Sequence, residues 1–204
     1  MENKELFFDV SEEYVEKMVC DIYNMCEFLA LSQGYFNIRK LYQKCEKQQM
    51  DISVDLKFRI YKLYIKTCAE TNRVSEGFEA LDGLKKLIND NDKDFDYHVL
   101  AAFLQIASWQ FDKAREIVLQ ARPLVMDSQK KKDTLDIIDY IADVQYWNKD
   151  WRESNLKDDE LYIIDIAKRL NYKALLARIS ISLLLRLTAV RRPSMVTFLM
   201  KFRL

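Results

Sequence analysis

The stretch His98–Met126, HVLAAFLQIASWQFDKAREIVLQARPLVM, decides how the rest of the chain is read. Ala101, Phe103, Leu104 and Ala107 set apolar side chains at helical spacing in its first half. Phe111, Ala114, Ile117, Val118, Ala121 and Val125 do the same in its second half, with Asp112, Lys113, Arg115 and Glu116 outside. Trp109, Gln110 and Phe111 fall at the join, so the spacing predicts two helices and a short turn. Alanine costs little in a helix and lets two backbones close up, which makes Ala102, Ala114 and Ala121 the contact positions. Any antiparallel helix pair can place three alanines this way. The stretches on either side favour a repeated unit.

From Phe111 the offsets to Ala114, Val118 and Ala121 are +3, +7 and +10. Upstream, Ser11 is an N-cap candidate, and Tyr14, Met18, Ile22, Met25, Cys26 and Leu29 form a stripe. Leu6, Phe7 and Phe8 in the leader are candidates to cap that first helix pair. Gly34 reads as a turn, and Tyr35, Ile38, Tyr42 and Cys45 follow at the same offsets, with Cys26 at the small position. Leu56, Ile60, Leu63, Tyr64 and Thr67 make the next first helix, and Thr71–Val74 its turn. Val74, Gly77, Leu81 and Leu84 then repeat the offsets. Polar connectors are expected at Asn89–Asp96 and Asp127–Asp133. Leu135, Ile138, Ile141, Ala142 and Val144 open a fourth unit, whose turn carries Trp147 and Trp151, at least one of them expected to be buried. The anchors Tyr35, Val74, Phe111 and Trp151 are 39, 37 and 40 residues apart, a period in the range of helical-hairpin solenoids.

The central unit resembles the second half of a tetratricopeptide repeat: an aromatic at the turn (Phe111), then alanine (Ala114), a large residue (Val118) and alanine (Ala121). Ala102 matches the small residue of that family's first helix. Trp109 stands where the family has glycine, Gln105 where it has tyrosine, and Met126 where it has proline. Further on, Ile166, Ala167, Leu170, Asn171 and Ala174–Arg178 resemble the longer helical repeats of bacterial transcription regulators. The resemblance implies an all-α, right-handed superhelix of antiparallel hairpins. It would form a single domain over 1–204 with four to five hairpins and an ill-defined tail at 191–204. It also implies a non-catalytic scaffold or adaptor, a subunit or fragment of a larger assembly, binding another protein or an extended peptide. The alternative it implies is a ligand-gated sensor that takes a short peptide in its concave groove.

Composition agrees with a helical chain. Only 3 Gly and 2 Pro interrupt 204 residues that are 50% hydrophobic and 31% charged. Formal net charge is zero, so the total gives no reason to expect nucleic acid. Cys20, Cys26, Cys45 and Cys68 form no C-x-x-C, and each lies among apolar helical residues. They read as reduced core thiols of an intracellular protein, cytoplasmic rather than nuclear. MENKELFFDV lacks the features of a signal peptide. Ala174–Val190 is the most apolar stretch, but Arg178 and Arg186 interrupt it and it is short for a span, so no transmembrane segment is expected.

No residue pattern calls for catalysis, a cofactor or a metal. Asp90, Asp92, Asp94 and Asp96 alternate like a calcium loop, but Phe95 and Ala101 occupy the positions where that loop needs glycine and glutamate. A solvated connector that caps the next helix is the better reading. His98 is the single histidine and reads as a helix-surface residue. Lys130–Lys132 read as a solvated helix start. Ile166–Leu204 holds nine basic residues and no acidic one. This basic tail either contacts an acidic partner, an anionic membrane or RNA, or is a chain end without a selected role. The register of the central unit points Val99, Phe103 and Ile106 into a groove. The same offsets select Tyr23 and Glu27, Lys62 and Lys66, and Asp139, Asp143 and Tyr146 as partner-binding candidates. The expectation is a groove basic near one end, apolar in the middle and acidic near the other, with Lys62 and Lys66 exposed. The competing reading makes Phe103 and Ile106 core and the charges ordinary solvated positions.

Overall fold

The computed structural model describes residues 11–27, 31–47, 50–146 and 157–170, with the side chains of 27, 143–146 and 157–161 left aside. The described residues are helical, without a strand. The helices are α1 (Glu12–Glu27), α2 (Leu31–Glu46), α3 (Val54–Glu70), α4 (Val74–Lys85), α5 (Asn91–Ala107), α6 (Phe111–Ala121), α7 (Gln129–Tyr146) and α8 (Lys157–Arg169). A single 3-10 turn, Arg122–Val125, follows α6 and holds Pro123 near its start. By internal contacts the chain divides into two compact units, Met1–Ser128 and Gln129–Leu204.

In the first unit α1 packs on α2, α3 on α4, and α5 on α6. The helix α3 also touches α1, α2 and α5, and its sequence shows why it can sit at the centre. Leu56, Phe58, Ile60, Tyr61, Leu63, Tyr64, Ile65 and Cys68 are buried and spread around most of its circumference. A helix apolar on nearly every side must be covered on nearly every side. Its buried threonine, Thr67, donates its hydroxyl to the Leu63 carbonyl at 2.7 Å and meets Cys26 Sγ at 3.7 Å. Side chains cap three of the helix starts. Ser11 Oγ accepts from the Tyr14 N–H, Ser53 Oγ from that of Leu56, and Asp90 Oδ1 from that of Lys93.

The turns after α3 and α5 are the same structure 37 residues apart. Asn72 and Trp109 take positive φ, 58° and 62°. The next N–H, of Arg73 or Gln110, reaches back to the carbonyl of Cys68 or Gln105, in each case at 2.8 Å. Asn72 N–H reaches Ala69 O, and Trp109 N–H reaches Ile106 O. This is the Schellman closure, which satisfies the last carbonyls of a helix and favours glycine at the left-handed residue.

Small residues lie on both sides of those turns. Ala114 and Ala121 are fully buried, and Ala102 nearly so. A Cβ on Gly77 would stand 2.5 Å from Leu104 Cδ2 and 3.3 Å from Cys68 Cβ. Gly34, expected at a turn, lies inside α2, where a Cβ would stand 2.5 Å from Cys26 Sγ. It is glycine because two helices meet there. The helix starts Leu31, Val74 and Phe111 give Gly34, Gly77 and Ala114 at +3, Ile38, Leu81 and Val118 at +7, and Leu41, Leu84 and Ala121 at +10, all buried. The Tyr35 anchor, and with it Cys26 as the small position, was therefore one helical turn late.

Other expectations shift by smaller amounts. In α1 the buried stripe is Val15, Val19, Ile22 and Cys26, while Tyr14 is 57% exposed and Met25 is also exposed. Two adjacent stripes were available, and α2 and α3 cover one of them. Asp92–Asp96 belong to the start of α5, and Gln129–Asp133 to the start of α7, so both connectors are shorter than expected. Cys20 is exposed, unlike the three buried thiols. Burial pushes Cys45 up to about 11 and Cys68 up to about 12, so both remain protonated. Trp147, Trp151, the leader and residues 171–204 lie outside the described residues.

Among the described residues, the second unit is a pair of helices, α7 and α8. Ile137 of α7 packs with Ile163, Ile166 and Ala167 of α8. Asp133 is only 2% exposed. It accepts from Arg169 Nε at 2.9 Å and Nη2 at 2.8 Å, and from Gln129 Nε2 at 2.8 Å. The Arg169 hydrogen bonds hold the Asp133 carboxyl below the usual carboxylate range despite its burial. No helix among the described residues is long and apolar enough to cross a membrane.

Candidate partner-binding face

Because α3 touches both α1 and α5, the first helices of the three hairpins lie side by side. Each contributes a stripe at helical spacing: Glu16, Cys20 and Tyr23 on α1; Asp55, Arg59, Lys62 and Lys66 on α3; Asp96, Val99, Phe103 and Ile106 on α5. Polar contacts cross from stripe to stripe. Arg59 pairs with Glu16, and Lys93 of α5 with Asp55. Lys62 Nζ lies 2.5 Å from Asp96 Oδ2. Lys66 Nζ stands 5.2 Å from the Tyr23 ring centroid and 3.9 Å from Glu70 Oε1. Tyr23 keeps 47% of its surface open.

The structure therefore brings Tyr23 and Lys66 together and puts Lys62 on the same stripe as Lys66. Phe103 is half-buried on α5, as are Val99 and Ile106. Lys62 and Lys66, expected to be exposed, are half-buried and paired, so this stretch carries matched charge where a basic end was expected. Asp139 is half-buried on α7, in the second unit. The side chains of Glu27, Asp143 and Tyr146 lie outside those described. His98 is half-buried, with Nδ1 2.9 Å from the Asp94 carbonyl. Of the basic tail, Lys168 pairs with Asp165 and Arg169 with Asp133, so both of these charges are matched within the second unit. No cluster of three or more metal-ligating side chains occurs among the described residues.

A polar junction behind this face stayed hidden at the sequence level. Glu76 Oε2 accepts from the hydroxyls of Tyr35 and Tyr64, each at 2.7 Å. Arg39 and Arg73 approach the same carboxylate at 3.4 Å. Arg73 also stacks 4.3 Å above the Tyr35 ring. Tyr42 lies against Tyr64 at 4.3 Å and edge-on to Tyr61 at 4.9 Å. Burial pushes the Glu76 carboxyl up, but the two hydroxyls and the two arginines outweigh it and hold the group below its ordinary range. Burial and Glu76 together raise Tyr35 and Tyr64, and burial pushes Tyr42 up to about 12. These hydroxyls are donors at neutral pH, and the junction ties α2, α3 and α4 together without a free reactive group. Asp96, Glu16 and Glu76 were all missed for one reason: each has a partner 34 to 43 residues away, and no local pattern announces such a pair.

No family model matches the chain, and neither the curated proteins nor the solved structures contain a match.

Proposed function

We propose that this protein is a non-catalytic interaction module, a tetratricopeptide-like right-handed superhelix of helix hairpins that binds another protein. The face formed by α1, α3 and α5 is its binding surface. The observation that carries the reading is the recurrence of one Schellman turn, left-handed at Asn72 and again at Trp109, with a small residue buried in a helix contact after each. Units of this kind each leave an apolar side that a neighbour covers, and the first helices then present one continuous surface. On that surface Tyr23 and Phe103 are the aromatic anchors. The paired charges Lys62–Asp96 and Arg59–Glu16 lie between the helices that carry them and supply polar groups for orienting a partner. The step from architecture to binding is one of analogy between folds.

Affinity capture by the full chain, read by mass spectrometry, tests this when repeated with Tyr23→Ala and Phe103→Ala combined. The double variant should keep the helical circular dichroism and lose the captured protein by about tenfold or more. Undiminished capture by a folded double variant would exclude this face.

A further inference from the structure

The first hairpin has another surface, on the side of α2 opposite Tyr35 and Tyr42. An open cleft of about 590 Å3 runs there between α1 and α2. Met18, Ile22 and Met25 of α1 and Leu41 of α2 contribute its apolar lining. Lys40 and Lys44 of α2, and Lys47 just past its end, edge it at +4 and +7; the Lys47 N–H still bonds the Gln43 carbonyl, so the three keep to one side of the helix. All three are exposed, and none forms an ion pair among the described residues. That sets them apart from Arg59, Lys62, Lys66 and Lys93, each of which meets a carboxylate. The α1 edge of the cleft carries the opposite sign, through Asp21.

We propose that this cleft docks an acidic amphipathic helix from a partner protein. Its large apolar side chains would enter between Met18, Met25 and Leu41, and its carboxylates would run along the lysine row. Carboxylates three and four residues apart on such a helix match the lysine spacing step for step. The two methionines give the lining a surface that adapts to differing apolar side chains. Asp21 disfavours acid on the other flank, so the occupant carries its negative charge on one edge only, and that fixes its direction. A concave cleft with one basic and one acidic edge suits a peptide better than an anionic bilayer, which would present negative charge to both. The cleft is separate from the α1–α3–α5 face, and its role does not depend on that face.

Fluorescence anisotropy with the full chain provides the test. The probe is a labelled synthetic helical peptide of about 14 residues, four turns, with Leu and Phe on one side and Glu along one flank. Saturable binding is expected, weakening as ionic strength rises from about 0.05 to 0.3 M. Lys40→Glu combined with Lys44→Glu should reduce affinity by about tenfold or more. Met18→Ser should reduce it by about fivefold, through lost apolar contact. The lysine variant should melt as the parent does, because both side chains are in water. A control peptide with Lys in place of Glu should not bind. Equal binding by the lysine variant overturns the proposal. So does markedly tighter binding after removal of residues 1–10, which would make the chain's own leader the occupant. Lysine-dependent binding to phosphatidylserine vesicles that outcompetes the peptide would assign the surface to a membrane and also overturn it.

Discussion

The hairpins α3–α4 and α5–α6 take the same backbone path with different residues at its tightest point. Asn72 suits the left-handed region, since its short polar side chain tolerates it. Trp109 does not suit it, is 67% exposed, and makes an edge contact with Phe111 at 5.9 Å. An unfavourable residue adopts the turn anyway. The close helix contacts at Gly77 and Ala114, a few residues further along, therefore impose the turn, and local preference alone does not.

If that is right, filling the contacts should matter most. Gly77→Leu should lower unfolding free energy by about 3 kcal/mol or more, because a first carbon already meets both Leu104 and Cys68. Ala114→Leu, where a Cβ is already accommodated, should cost about 2 kcal/mol. Urea denaturation measures both, and a reversed order would break the equivalence of the two positions.

The Glu76 junction belongs to α3–α4; the equivalent position of α6, two residues past the helix start, holds Lys113. Glu76→Gln should cost about 1–2 kcal/mol, since both hydroxyls keep an acceptor but the arginines lose their counter-charge. The sign of its pH dependence comes from its depressed carboxyl. The stabilisation is present above the ordinary value of 4.5 and is lost as pH falls through the lower folded value. Acid titration of parent and variant should therefore converge below that point, and a constant gap at all pH values would show that the carboxylate charge is not what matters.

The smallest effect should come from the turn itself. Trp109→Gly should raise stability by up to about 1 kcal/mol as left-handed strain is relieved. Asn72→Gly should change it by only a few tenths, in either direction. Thermal melts compare the two, and equal shifts would mean that the turn does not distinguish Asn from Trp.

Several of these features could be read from the chain alone, because they depend on near neighbours in sequence. The hairpin at Trp109 announced itself by alanines at fixed offsets, and the tryptophan stood where a glycine was expected. Gly34 misled because glycine is a stronger signal for turns than for helix contacts, and the Cys26 sulfur that requires it lies on another helix. Tyr14 and Met25 looked like core because helical periodicity fixes a stripe only to within about one residue. The offsets pick out Tyr23, Lys66 and Phe103 on the first helices, but the pairing of the charges beside them is not legible in those offsets. Asp96 was assigned to a connector, and nothing in the spacing of Lys62 points to a carboxylate 34 residues later.

The central claim is that a partner protein lies along α1, α3 and α5. Photo-crosslinking tests it most directly, with a benzophenone amino acid placed in the full chain at position 23, 103 or 113. Lys113 is exposed on α6, a second helix, and serves as the contrast. The account predicts that positions 23 and 103 capture the same protein and that position 113 does not. Capture from 113 alone, or of unrelated proteins from 23 and 103, would contradict it.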